Sequence, residues 1–436
     1  MISRRGLVLL GLGAVAAEAL AACSPSLETQ SVPLMPPSPS PKGENPVSGI
    51  IGDGFADDGP ALEAMLNSAA AVGAPVTLAA HSRLRIASTV FVPSNTRFDG
   101  NGATLVNECA NDGHIFRLVK VENVTIKNVN FDGQATHTEA TDQRHNVSLA
   151  GVRNVRIERI RSSNAMGDGL YIGDHLSGPS VKVSLRDSDF DNNHRQGMSV
   201  TCVSGLTVTN CSFRNTAGTS PQAGVDIEPN TDASTIAGLV FRGCNFTRNA
   251  GGGLVISLRY TPTSRQQSGT YVDCKFDNNP GSPGVLLANS RRARFIRGQM
   301  NGNGRNGLAL YSAPGHATIS YDTSLSGVYL VGNTNAGIRA SSSYKGMLIA
   351  SCVLDRNGTG APASSYGLDS VLTGGSTGDN LVVVNNTFSD MRIGLRTSPQ
   401  CSHVTLSGNR YTSLTTSRIL KDDPRTRADF ESPVDR

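Results

Sequence analysis

The chain has 436 residues, 39 Lys and Arg against 35 Asp and Glu, 47 Gly and no Trp. A formal charge of +4 is too small for a nucleic-acid partner, whose sites need dense basic patches. The length would suit two compact domains, but a repeat protein grows along one axis and escapes that limit.

The first elements concern export. Arg4 and Arg5 precede an apolar run, residues 7–22, that is interrupted by Glu18 and is short for a membrane-spanning helix. The segment resembles a twin-arginine export signal, and Leu20-Ala21-Ala22-Cys23 resembles a bacterial lipobox. The resemblance implies that residues 1–23 are a signal and that Cys23 becomes a lipidated first residue. It also implies a membrane partner, through a lipid anchor facing the periplasm. Ser24, rather than an aspartate, favours the outer membrane by the same resemblance. Residues 24–47, with Pro36-Pro37-Ser38-Pro39-Ser40-Pro41, read as an extended tether. Cys23→Ala is expected to leave an exported protein that no longer partitions with membranes. Detergent-phase partitioning checks this, and a variant that stays with the membrane contradicts the anchor.

The folded part is expected over residues 48–413. Asp58 is placed to cap a helix, Pro60 suits its first turn, and Leu62, Met65, Leu66 and Ala69 form one apolar face. Such a helix would plug the open end of a stacked-strand core. Asp53 and Asp57 read as loop residues beside it.

A repeat follows. Short strands begin at Gly169, Gly197, Gly224, Gly253, Gly284 and Gly307, each with apolar residues one and three places on. Drifting intervals between these glycines fit coils that differ only in their loops. Each is preceded by another strand ending near a Phe, as with Val183-Ser184-Leu185 before Phe190 and Leu206-Thr207-Val208 before Phe213. Asn follows the Phe at Asn192, Asn193, Asn215, Asn249, Asn278 and Asn279. Asn tolerates left-handed backbone and can bond to an Asn one coil away. About two strands per coil with Asn and Gly corners spell an all-β parallel β-helix. Cys211, Cys244 and Cys274 each lie two residues before a Phe, Cys352 lies two before Leu354, and Ser188 fills the same slot. One-coil spacing argues for an internal stack of small side chains rather than a metal cluster, and no disulfide framework is expected. Residues 414–436 read as a tail or terminal cap.

The segment Ile51-Gly52-Asp53-Gly54-Phe55-Ala56-Asp57-Asp58-Gly59-Pro60, with Phe98-Asp99-Gly100-Asn101-Gly102, resembles the N-terminal signature of the pectate-lyase superfamily, which includes rhamnogalacturonase-like and epimerase-like members. The resemblance implies a single-stranded right-handed parallel β-helix. It leaves the reaction open, because one fold carries lyases, hydrolases, epimerases and tailspikes.

The candidate site is the strand Ala223-Gly224-Val225-Asp226-Ile227-Glu228. Asp226 and Glu228 stand at outward positions that are bland in most coils, and both are expected to face solvent. Projected on the same face are Asp168 and Tyr171, then Arg195, Gln196 and Ser199, with His145 and Ser148 on one side and Ser257, Arg259 and Tyr260 on the other. Strands lie about 4.8 Å apart, so these coils would line a groove roughly 20 Å long. Acids, Arg, His and Tyr in a groove suit a polysaccharide. Two carboxylates two residues apart on a strand are about 6.5–7 Å apart, at the lower edge of the range for inverting glycosidases. Asp168 is a third candidate acid. No cofactor is required, although the three carboxylates could hold Ca²⁺ and serve a lyase, with Tyr171, His145 or Arg195 as base. The strand also loosely resembles that of alginate epimerases, in which His stands two places after Asp. Glu228 occupies that place here, so the role of that His does not transfer. A non-catalytic glycan-binding or surface-structural β-helix is the alternative.

Overall fold

The computed structural model describes residues 49–135, 143–173, 177–258, 266–311, 319–360, 363, 365–372 and 375–421. Signal, lipobox and tether lie outside these residues, as do Arg259 and Tyr260. The described chain winds as a parallel β-helix. Each coil contributes three short strands rather than two. The extra corner comes from left-handed residues: Ser180–Arg186 ends at Asp187 (φ 50°), Asp189–Asp191 ends at Asn192 (φ 54°), and Gln196–Val200 completes the turn. A run that looks like one strand up to its Phe is therefore bent into two.

Like strands stack in chain order into three faces. The face carrying the Gly-led strands has 13 strands, the long-strand face has 13, and the Phe face has nine followed by four, joined through bridges at Gln299. Asp168–Ile172 pairs with Gln196–Val200, which pairs with Ala223–Ile227 and then Gly252–Ser257, all in parallel.

Two columns of side chains fix this register. Asn249, Asn279, Asn303, Asn333 and Asn357 are buried, and each Nδ2 donates to the next Oδ1 at 2.9–3.2 Å. Beside them runs a column of glycines. A Cβ on Gly224 would lie 2.7 Å from the Gly253 carbonyl oxygen and 2.8 Å from Asn249 Nδ2, and one on Gly307 would lie 2.7 Å from the Gly337 carbonyl oxygen. Neither glycine has a positive φ. Glycine is required there by close approach of the next coil, not by backbone freedom.

The thiol stack forms as expected. Cys211, Cys244, Cys274 and Cys352 are buried and free, and each Sγ lies 3.3–3.4 Å from the carbonyl oxygen two residues before it. Ser188 Oγ donates to the Arg186 carbonyl in the same slot at 2.7 Å. Phe213, Phe246 and Phe276 stack alongside, with ring centroids 5.3 and 4.6 Å apart.

The capping helix is Gly59–Ala71, with Leu62 and Leu66 buried but Met65 exposed. Asp58 does not cap it. Its backbone is helical, and its Oδ1 accepts the N–H groups of Ile51 and Gly52 instead. Asp57 serves the helix start, accepting from Gly59 N at 3.0 Å while also holding Ala87 N and Ser88 Oγ. At the other end the coil pattern runs past residue 413, because strand Ser417–Lys421 pairs with Ile393–Thr397.

Candidate active site

Register on the Gly-strand face places Arg117, Ser148, Tyr171, Ser199 and Asp226 in one outward column. Beside it, Asp168 is the register partner of Gln196, with His145 just before Asn146 on the preceding coil. Glu228 N donates to the Val200 carbonyl at 3.1 Å, so the ladder continues one residue past the strand and keeps Glu228 on the same face as Asp226. The register thus brings His145, Asp168, Tyr171, Arg195, Gln196, Asp226 and Glu228 onto one face. Sequence reasoning misses His114 and Arg117, which sit one coil before His145 and Ser148 and could have been found by that spacing.

The expectation of solvent exposure is wrong for Asp226, which is 3 % exposed. The face is covered by chain leaving the strands: Asn230 Nδ2 donates to the Tyr171 hydroxyl at 3.4 Å, two coils back. Burial raises the Asp226 carboxyl well above the usual range, and the neighbouring Glu228 carboxylate adds to it. Arg195, which favours the ionised form, does not reverse this. Gln196 Nε2 donates to Oδ2 at 3.3 Å, while Oδ1 has no hydrogen-bond partner among the described residues. The buried, raised carboxyl of Asp226 thus sits beside a second, half-buried carboxyl.

Asp168 is not that second acid. It is fully buried, with Arg195 Nη1 at 3.5 Å and His145 Nδ1 at 3.4 Å from Oδ2. The contact with His145 is not an ion pair. Nδ1 accepts the Asp168 N–H at 3.0 Å, and burial holds the ring well below the usual histidine range, so the proton sits on Nε2. His145 stacks on Tyr171 at 4.7 Å and on His114 at 5.4 Å. Burial, then the Arg117 charge, lowers His114 to about 4. Burial raises the Tyr171 phenol, whose oxygen lies 3.2 Å from Thr201 Oγ1. Neither Tyr171 nor His145 is tuned as a base at neutral pH. Arg195 and His145 both lie against Asp168, and among the described residues no three His, Cys, Asp or Glu side chains are grouped to hold a metal.

The raised carboxyl has a consequence for stability. The folded state holds a proton on Asp226 that the unfolded chain releases near pH 4. The stabilisation is thus complete below about pH 4 and is lost as pH rises toward the raised value. Asp226→Asn is expected to raise stability at pH 7 by about 1 kcal/mol or more and to change it little at pH 4. Urea unfolding at both pH values measures this; an equal loss at both would contradict a protonated Asp226.

A family model described as "right handed beta helix region" matches residues 94–268 and 263–419. The chain belongs to the right-handed β-helix family. No curated protein matches it. Among solved structures it is similar to the A-module of the Azotobacter vinelandii mannuronan C-5 epimerase AlgE6, at 18 % identity over 87 % of this chain and 96 % of that one, with a TM-score of 0.60. It is also similar to PfbA, a surface adhesin of Streptococcus pneumoniae, at 14 % identity over 85 % and 91 %, TM-score 0.59. The tailspike of E. coli bacteriophage HK620, solved with a pentasaccharide, matches at 12 % identity over 84 % and 75 %, TM-score 0.61. These likenesses bear on the β-helix fold, and family membership fixes its hand.

Proposed function

We propose that this protein is a polysaccharide-active enzyme that hydrolyses glycosidic bonds with inversion. The observation that carries the reading is an unlike pair: Asp226, buried and with its carboxyl raised well above the usual range by that burial and by Glu228, beside the more accessible Glu228 two residues on. Environments that push two carboxyls apart assign an acid and a base. Asp226 protonates the leaving oxygen and Glu228 draws a proton from the attacking water, at a separation of about 6.5–7 Å that admits that water. Tyr171 lines the site with its hydroxyl held by Thr201 and Asn230, Gln196 supports Asp226, and the Asp168–Arg195 pair holds the groove wall. That an epimerase and a pentasaccharide-bound tailspike share the fold supports a glycan ligand. Export and lipid anchoring through Cys23 belong to the same proposal.

The test is incubation with a panel of neutral and acidic polysaccharides. New reducing ends of inverted anomeric configuration, without absorbance near 235 nm, support hydrolysis. Unsaturated products would replace it with a lyase, changed sugar stereochemistry without cleavage with an epimerase, and binding without either with a non-catalytic glycan-binding protein.

A further inference from the structure

The outward column that holds Tyr171 and Asp226 continues C-terminally through Val255, Leu286 and Ala309 to Arg339, Asp369 and Arg396. The three intervening residues are buried and apolar, so the charged cluster is a site of its own, not the flank of the first. Four strand steps separate Arg339 from Asp226, about 19 Å.

The cluster is built around one carboxylate. Asp369 is fully buried and accepts from Arg396 Nε at 2.7 Å and Nη2 at 3.0 Å, and from Arg339 Nη1. The Arg396 guanidinium also lies 4.2 Å over the Tyr366 ring, which fixes its plane. Two guanidiniums thus converge on one buried carboxylate. Both remain partly open, with 30 % of the Arg339 side chain and 21 % of the Arg396 side chain accessible. Arg339 bonds Asp369 through a single nitrogen, and its remaining donors face out of the pair. The Arg339 guanidinium, anchored through one nitrogen and partly accessible, matches a planar or tetrahedral oxyanion.

We propose that Arg339 and Arg396 form a second subsite, which grips an anionic group, carboxylate or sulfate, on the glycan worked on at Asp226 and Glu228. The substrate is then an acidic polysaccharide long enough to span about four or more strand steps. This rests on the reading of the face as a glycan groove, and its test needs binding only. Glu228→Gln protein is run in affinity gels containing polygalacturonate, dextran sulfate or unmodified dextran. Arg339→Gln is added to it, with Arg156→Gln, an exposed arginine on another face, as the charge-matched control. Arg339→Gln leaves the two-point Arg396 contact with Asp369 intact, and circular dichroism reports whether it folds. The expected result is retention by one or both anionic polymers, weakened about tenfold or more by Arg339→Gln and little by Arg156→Gln. Which polymer responds tells carboxylate from sulfate. Equal retention in both variants, retention by dextran alone, or no retention at all overturns the subsite. Loss of hydrolysis in the panel, with this binding pattern kept, would instead overturn the catalytic reading and leave the subsite standing.

Discussion

Asp226→Asn and Glu228→Gln should each lower turnover by a factor of hundreds or more while the protein stays folded. Each substitution keeps the shape of the side chain and removes a proton transfer, which contributes a factor of roughly 10²–10⁴. The two losses should differ in kind. Asp226→Asn removes the acid, so a substrate with a good leaving group, such as an aryl glycoside, should recover much of the rate. Glu228→Gln removes the base, and a small external nucleophile such as azide should restore turnover in its place. The alkaline limb of the pH profile should follow the raised Asp226, so activity falls once Asp226 ionises. Chelators should change nothing. Full activity in both variants on a substrate the wild type cleaves would remove this strand from the chemistry altogether.

Gly307→Ala should destabilise the protein by about 2 kcal/mol or more, although it adds one methyl group far from the candidate site. At a compatible position Gly→Ala stabilises by about 0.4–1 kcal/mol through the unfolded chain. Here the added Cβ meets the Gly337 carbonyl oxygen at 2.7 Å and Leu330 Cδ2 at 2.9 Å, with Asn333 Nδ2 at 3.1 Å. Backbone on one side and a hydrogen-bonded Asn on the other cannot yield separately. The coil must move away from its neighbour and break the Asn303–Asn333–Asn357 run of bonds. Urea unfolding measures the loss. Wild-type stability in this variant would show that the coils are looser than the columns imply.

The fold was readable because its determinants recur at one-coil spacing. Gly, Asn, Phe and Cys each occupy one place in the coil, and the places are set by close approach, ladder bonding and burial. The third strand was hidden because its corner is not one residue type: Arg159, Asp187, Asn210 and Gly243 each turn the chain there with a left-handed backbone. At the site, Asp226 and Glu228 stood out as a pair of acids at outward positions that are bland in the neighbouring coils. Their burial could not be read, since the cover is aperiodic chain such as the segment of Asn230, which reaches Tyr171 across 59 residues. Asp168 looked like a third acid for the same reason. Its partners, Arg195 and His145, are 27 and 23 residues away, and only coil registration brings them to it.

The glycine and asparagine columns also turn the molecule into a ruler. From Asp226 to the arginines the same glycine contact joins each coil to the next, so their spacing can change only in whole graduations of about 4.8 Å. Losing residues 308–337 would set Ile338 directly after Gly307, with the columns intact and Arg339 one graduation nearer to Asp226. Loops can lengthen or shorten without altering this scale. If the two marks are the glycan subsites proposed above, gaining or losing a coil changes the length of glycan between them without touching the residues at either one.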